Sequence, residues 1–351
     1  MKALVVTACD TLEVLERPVP QPGENEAVVR VHYTGICGSD VPRVLEGRVH
    51  GFPIVLGHEF SGIVEAVGSA KDEHLIGKRV AGVPLVPCME CEDCALGHYS
   101  QCTHYRFIGS RIDGSMAEYV CVPTANLFIV SDNISDLEAA FFEPATVGMH
   151  ALRLARFEAG TSVAVIGAGT IGLLLAQELV ALDASKVVVI NRSAHRLETA
   201  QLLSGLTTLC SAEDSWQQNA KELSGGRGFD MVFDTVANSQ TIADSCAIAA
   251  ACGTVCFVGT PKQDISLTIS QWEQINRKEL HVTGSWMSYS APWPGSEWTD
   301  VARLFAQNRL IINPQMIDRI YPLAEGRAAF DRFKSPSQIT GKILIDSSEV
   351  S

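Results

Sequence analysis

The sequence predicts an α/β protein made of a β-rich part and a doubly wound parallel sheet. Three observations predict it. Up to Phe141, short alternating or β-branched runs are divided by Gly, Pro and Asp turns. Beyond Phe141, apolar strand-like runs alternate with segments of helical period. Between the first of these runs and its helix stands a glycine turn, "GAGTIG".

The elements follow in order. "EAVVRVHYTGIC", "FSGIVEAVG", "GKRVAGVPLV" and "MAEYVCVP" read as strands of the first part. "TSVAVIGAG" is a buried strand and "TIGLLLAQELVAL" its helix; "KVVVI" and "SAHRLETAQLL" repeat the pair. "FDMVFDT", "GTVCFVG" and "ELHVTGS" continue the sheet. After Gly284 the pattern breaks into "SWMSYSAPWPGSEW", an amphipathic helix and a closing strand, "GKILIDS".

Composition narrows the function. With 46% hydrophobic residues, 351 residues can bury two cores. The net charge of −13 disfavours nucleic acid and anionic membranes as partners, but not a small phosphorylated substrate held by local arginines. Asp10, Glu13, Glu16 and Arg17 interrupt the N-terminal segment, so it does not read as a signal peptide. No run of about 18 apolar residues predicts a membrane span. The 11 cysteines are odd in number and mostly scattered in apolar runs, which suits a reducing cytoplasm.

The glycine turn places Gly167, Gly169 and Gly172 in G-x-G-x-x-G register, following a strand and opening a helix. That context predicts a dinucleotide site, with the pyrophosphate at the helix start. An acid is expected at the end of the second strand to bind the ribose of NAD. Here Asn191 occupies that place, followed by Arg192 and, a turn later, Arg196. Either arginine is an ordinary surface charge or a partner for a 2′-phosphate, so NAD or NADP is expected.

Four cysteines, Cys88, Cys91, Cys94 and Cys102, crowd into "CMECEDCALGHYSQC". Four thiolates suit a closed, structural zinc site. The bacterial iron–sulfur run has a shorter last gap followed by Pro, whereas Thr103 follows Cys102. A second set is dispersed: Cys37 in "GICGSD", His58 and Glu59 in "GHEFSG", and Glu143 in "FFEPATVG". A thiolate, an imidazole and one or two carboxylates make an open zinc site with room for substrate.

"GHEFSGIVEAVG", the Cys88–Cys102 quartet and "GAGTIG", in this order, resemble the zinc-dependent medium-chain dehydrogenases/reductases. Glu143 stands where the alcohol branch carries a cysteine, so the chain is most similar to the polyol branch. The resemblance implies a GroES-like β-barrel catalytic domain over 1–147, a Rossmann domain over 148–284 and a return to the catalytic domain over 285–351. It implies two zinc ions per chain, a nicotinamide cofactor and a homo-oligomer, dimer or tetramer. Cys37, His58 and Glu143 would hold the catalytic zinc, Glu59 would stand behind them or exchange with one, and Ser39 would start the proton relay. Many relatives have a His five residues after the zinc Cys; Pro42 stands there and cannot carry a proton.

The expected reaction is oxidation of a secondary alcohol of a sugar alcohol to a ketone. A phosphorylated polyol such as galactitol 1-phosphate is favoured over an unphosphorylated polyol or a sugar acid. A phosphate would need cations, and Arg43 and Arg111 lie in the resembling motifs; both are equally read as surface arginines. Trp286, with Tyr289 and Trp293, is expected either to line the sugar site or to serve the core or a subunit interface. Outside enzymes, the rival is a dinucleotide-binding sensor that has lost catalysis, against which the Cys37, His58 and Glu143 set argues.

Overall fold

The computed structural model describes residues 1–348; the last three residues of the expected return segment lie outside them. The chain forms two compact units. The first holds Met1–Glu143, Tyr289–Ala306 and the residues from Pro314 on; the second holds Pro144–Ser288 and Gln307–Asn313.

In the first unit the main sheet has seven strands. Its path runs Leu127–Ile129, Arg79–Gly82, Glu59–Val67, Glu26–Gly35, Lys342–Asp346 and Ile317–Pro322, with Tyr119–Pro123 also paired to Glu26–Gly35. Strand Glu26–Gly35 is long because its run is β-branched and aromatic, which suits a pleated surface. It buries Val29 and Val31 against Phe60, Val64 and Val80 in one core. The return strand Lys342–Asp346 lies antiparallel to it, with Leu344 opposite Gly35. A second core gathers Leu4, Val6, Leu56, Phe330 and Ile343. Burying each such apolar side chain stabilises by about 1.5–3 kcal/mol.

The second unit is a six-stranded sheet, every neighbouring pair parallel. Its order is Leu206–Cys210, Lys186–Asn191, Ser162–Ile166, Phe229–Asp234, Ala249–Phe257 and His281–Gly284. Counted along the unit this is 3-2-1-4-5-6, the doubly wound order, with the chain switching direction beside Ser162–Ile166. Val163, Ala164 and Val165 are wholly buried, as a central parallel strand covered on both faces requires. Gln307–Asn313 joins this unit because Ile311 N–H donates to Gln177 Oε1 and Arg309 reaches Asp183. No helix among the described residues is long and apolar enough to cross a membrane.

Candidate active site

Cys37, His58 and Glu59 come together in the first unit. Their ligand atoms all lie within 4.8 Å of one another. Strand pairing explains this. Glu59 sits opposite Gly35, two residues before Cys37. Ile36 N–H bonds Ile343 O, which brings Lys342 of the return strand alongside. Lys342 is buried and ion-paired with Glu59.

Cys37 is followed by the short helix Asp40–Leu45. Asp40 is fully buried, and its carboxylate does three things. It accepts from Cys37 N–H at 3.1 Å, takes Arg43 Nη1–H at 2.9 Å, and stands 3.7 Å from His58 Nδ1. The His58 ring meets the Phe107 ring edge-on at 5.4 Å. His58 Nδ1 is buried and has no hydrogen-bond partner among the described residues.

Glu143 begins the helix Phe142–Leu154. The preceding helix Asp136–Ala139 is capped by Ser135 and gripped through Asp136 by His32 and Arg79, both at 2.7 Å. The expected ligand set paired Glu143 with Cys37 and His58 and kept Glu59 behind. In the structure the tight group holds Glu59, while Glu143 lies within electrostatic reach of all three.

The charges here explain one another. Burial, then the charges of Glu59 and Asp40, push the Cys37 thiol up to about 11. Burial, with Glu59 and Cys37, pushes Glu143 up to about 8. Burial works against the Lys342 ammonium, yet Glu59 and Cys37 outweigh it and its pKa ends above the ordinary amine value. Cys37, Glu59, Glu143 and Asp40 thus crowd more potential negative charge than Lys342 and Arg43 balance. Cys37 and Glu143 retain their protons first because burial disfavours the charged forms and then because neighbouring anions repel them. A divalent cation relieves that repulsion, and a coordinated thiol gives up its proton. A soft thiolate, an imidazole and a carboxylate fit zinc in its catalytic form, which takes three protein ligands.

The four other cysteines also converge, their sulfurs within 4.8 Å of one another. All 11 cysteines are free thiols. Cys88 Sγ and Cys94 Sγ are 4.0 Å apart. Tetrahedral Zn–S bonds of about 2.3 Å place sulfurs roughly 3.8 Å apart, so a single ion fits and a multi-iron cluster does not. Backbone N–H groups of Cys88 and Cys91 point at Cys102 Sγ and Cys88 Sγ. A backbone bond from Cys94 draws Cys91 down to about 6, whereas burial pushes Cys94 up to about 12.

In the second unit, Gly167 has φ +110°, closed to a side chain, and a Cβ on Gly172 would strike Gly167 O. A Cβ on Gly169 would meet nothing within 4 Å, leaving open space for a pyrophosphate against the backbone. Asn191 Oδ1 accepts Ala168 N–H of this loop at 3.2 Å. Arg192 is exposed and Arg196 half-buried.

A family model for the alcohol dehydrogenase GroES-like domain matches residues 23–132, and one for the zinc-binding dehydrogenase matches residues 170–307. The chain belongs to the zinc-binding alcohol dehydrogenases. It is an oxidoreductase acting on CH–OH groups, with zinc and a nicotinamide cofactor. This dehydrogenase is 41% identical over 320 residues to galactitol 1-phosphate 5-dehydrogenase of Escherichia coli (strain K12), covering 91% of this chain and 92% of that one. The crystal structure of galactitol-1-phosphate dehydrogenase from Escherichia coli matches with a TM-score of 0.92 at 39% identity, over 99% of this chain and 100% of that one. A structure described as a zinc-binding dehydrogenase from Sinorhizobium meliloti 1021 bound to NADP matches with a TM-score of 0.84 at 29% identity, over 98% of both chains.

Ser39 is exposed, and its Oγ accepts from Arg43 Nη1 at 2.9 Å. Arg43 is therefore tied to the metal-site helix, with its side chain 21% exposed. Arg111 stacks on Tyr105, 4.3 Å from the ring centroid, and bonds its hydroxyl. Trp286 is 51% exposed in the second unit. Tyr289 is buried, stacks on Trp293 and Trp298, and takes Leu85 N–H on its hydroxyl, which makes it a core brace of the first unit. Sequence reasoning missed Asp40 and Lys342. Asp40 lies three residues after Cys37 and opens the helix Asp40–Leu45, and Lys342 starts a short strand whose middle is apolar.

Proposed function

We propose that this dehydrogenase oxidises a secondary alcohol of galactitol 1-phosphate, or a closely related phosphorylated polyol, to the ketone. The observation that carries the chemistry is the convergence of Cys37, His58 and Glu59 beside Glu143, an anion-rich group with one buried lysine. The named substrate of the Escherichia coli relative supports the phosphorylated polyol.

Cys37, His58 and Glu59 would hold the catalytic zinc, with Glu143 close enough to complete or exchange the set. A zinc ion there supplies Lewis acidity, which lowers the pKa of a hydroxyl brought to it. The nicotinamide supplies the hydride acceptor. Asp40 fixes the donors by holding Cys37 N–H and facing His58. Lys342 keeps Glu59 from carrying an unbalanced buried charge. Ser39 Oγ, exposed beside Cys37, receives the substrate proton and passes its own to water, because Pro42 offers no further carrier. Arg43 spends Nη1 on Ser39 and Asp40 and directs its other donors to the phosphate; Arg111 is the second candidate cation, and Trp286 a candidate sugar contact. Cys88, Cys91, Cys94 and Cys102 would hold the structural zinc. Gly167, Gly169 and Gly172 would cradle the pyrophosphate, with Asn191, Arg192 and Arg196 near the adenosine ribose.

This reading gives the first unit the catalytic role and the second the cofactor role. A homo-oligomer is part of it. Among the described residues strand His281–Gly284 has no partner on its outer edge, and Ile269 and Trp272 of the helix Ile269–Arg277 are 82% and 55% exposed. Free thiols throughout support a cytoplasmic location.

The test is nicotinamide reduction with galactitol 1-phosphate, free galactitol and an aldonate, for the wild type and for Arg43→Gln. Preference for the phosphorylated polyol, with a KM raised about tenfold or more by Arg43→Gln, supports the reading. Activity only on unphosphorylated substrates moves the assignment to an ordinary polyol or sugar acid.

A further inference from the structure

The adenosine end of the cofactor site departs from an NAD site in a way the fold explains. Strand Lys186–Asn191 ends beside Ser162–Ile166, whose own end turns into the glycine loop. Asn191 is locked there by both halves of its amide. Its Oδ1 accepts Ala168 N–H at 3.2 Å, and its Nδ2 donates to Ser193 O at 3.1 Å. One partner is a donor and the other an acceptor, so the position calls for an amide. A carboxylate would set an oxygen against the Ser193 carbonyl. The residue that would accept the ribose hydroxyls of NAD is thus replaced by a neutral brace already committed to the backbone.

The surroundings carry the opposite charge. Arg192 is exposed, and its guanidinium has no ion-pair partner among the described residues. Its carbonyl is held by Cys210 Sγ at 3.5 Å, and Ser211 N–H bonds Asn191 O, so the backbone presenting Arg192 is fixed on the neighbouring strand. Ser193 is exposed, and its hydroxyl makes no cap bond to the helix Ala194–Gln201. The first turn of that helix has no acid; its one acid, Glu198, pairs with His195 at 2.9 Å. Nothing in this turn repels a dianion, and a guanidinium with a serine hydroxyl suits one.

We propose that Arg192, assisted by Ser193, reads the 2′-phosphate of the cofactor and that Asn191 removes the selection for NAD, so that the enzyme prefers NADP. This rests on the dehydrogenase reading of the second unit but not on the substrate. The test is calorimetric binding of NADP+, NAD+ and 2′,5′-ADP to the zinc-loaded full chain, without substrate. The expected result is NADP+ bound about tenfold or more tightly than NAD+, and measurable 2′,5′-ADP binding. Arg192→Ala should weaken NADP+ and 2′,5′-ADP about tenfold while NAD+ changes less than about threefold. Asn191→Asp, if it folds, should narrow the gap from the NAD side; Arg192→Gln carries the test if it does not. Equal or tighter NAD+ binding by the wild type, or equal losses for both cofactors in the Arg192 variants, overturns the proposal. NADP+ preference without turnover of any polyol phosphate would keep it and overturn the substrate reading.

Discussion

Replacing Lys342 by Met isolates the electrostatics of the metal site. Lys342 and Glu59 are both buried and form an ion pair, with side chains 8% and 3% exposed. Two unit charges about 4 Å apart attract by roughly 4 kcal/mol at an effective dielectric of about 20. Removing one partner of a buried pair typically costs about 3–5 kcal/mol, since the other charge is left uncompensated. Glu59 would then face Cys37 and Glu143 without its ion-pair partner. The loss should be near its full value in protein stripped by a chelator. It should shrink with zinc bound, because the ion takes over the neutralisation of Glu59. The assay is urea unfolding of wild type and Lys342→Met, each metal-free and zinc-loaded, followed by a signal from the first unit. A variant as stable as wild type without metal, or one that loses the same amount with and without zinc, would refute this account of the site.

Other outcomes follow from the same geometry. Cys37→Ser should abolish turnover, while the protein keeps the quartet zinc and loses about one zinc per chain by atomic absorption. Cys94→Ser should lower zinc content similarly but appear first as lost stability, since a closed site of four thiolates contributes folding energy. Glu178 is fully buried on the helix Thr170–Ala181, neither carboxyl oxygen has a hydrogen-bond partner among the described residues, and burial raises its pKa well above 4.5. A raised folded-state pKa contributes stability that is present below the unfolded value and is lost as pH rises toward the folded one. Glu178→Gln should therefore match wild type near pH 4.5 and exceed it increasingly above, at up to about 1.4 kcal/mol per pH unit, in unfolding measured across pH. Asp40→Asn, which keeps shape but removes charge, should weaken zinc retention at the Cys37 site without touching the quartet.

Much was legible in the chain because the signals are local. The quartet's sulfurs meet within fifteen consecutive positions, so spacing alone predicts a closed metal site. The glycine loop is fixed by the positive φ at Gly167 and by the close approach of Gly172 to the Gly167 carbonyl, both local to the turn. Parallel strands are buried on both faces and therefore announce themselves as apolar runs; Leu206–Cys210, with its two threonines and partial burial, lacks that mark and went unread.

Local spacing and periodicity thus account for the two-part α/β architecture, the dinucleotide turn, the cysteine brace and the donor types of the open metal site. Long-range packing sets the rest: that Glu59 stands in the tight group, that Asp40 joins Cys37, His58 and Arg43, and that Lys342 neutralises Glu59. The reason is sequence separation. Glu59 and Lys342 meet only because the return strand pairs with Glu26–Gly35, and no local rule specifies that register. Charge balance in a buried site depends on every element packed there, and a linear chain shows those elements one at a time.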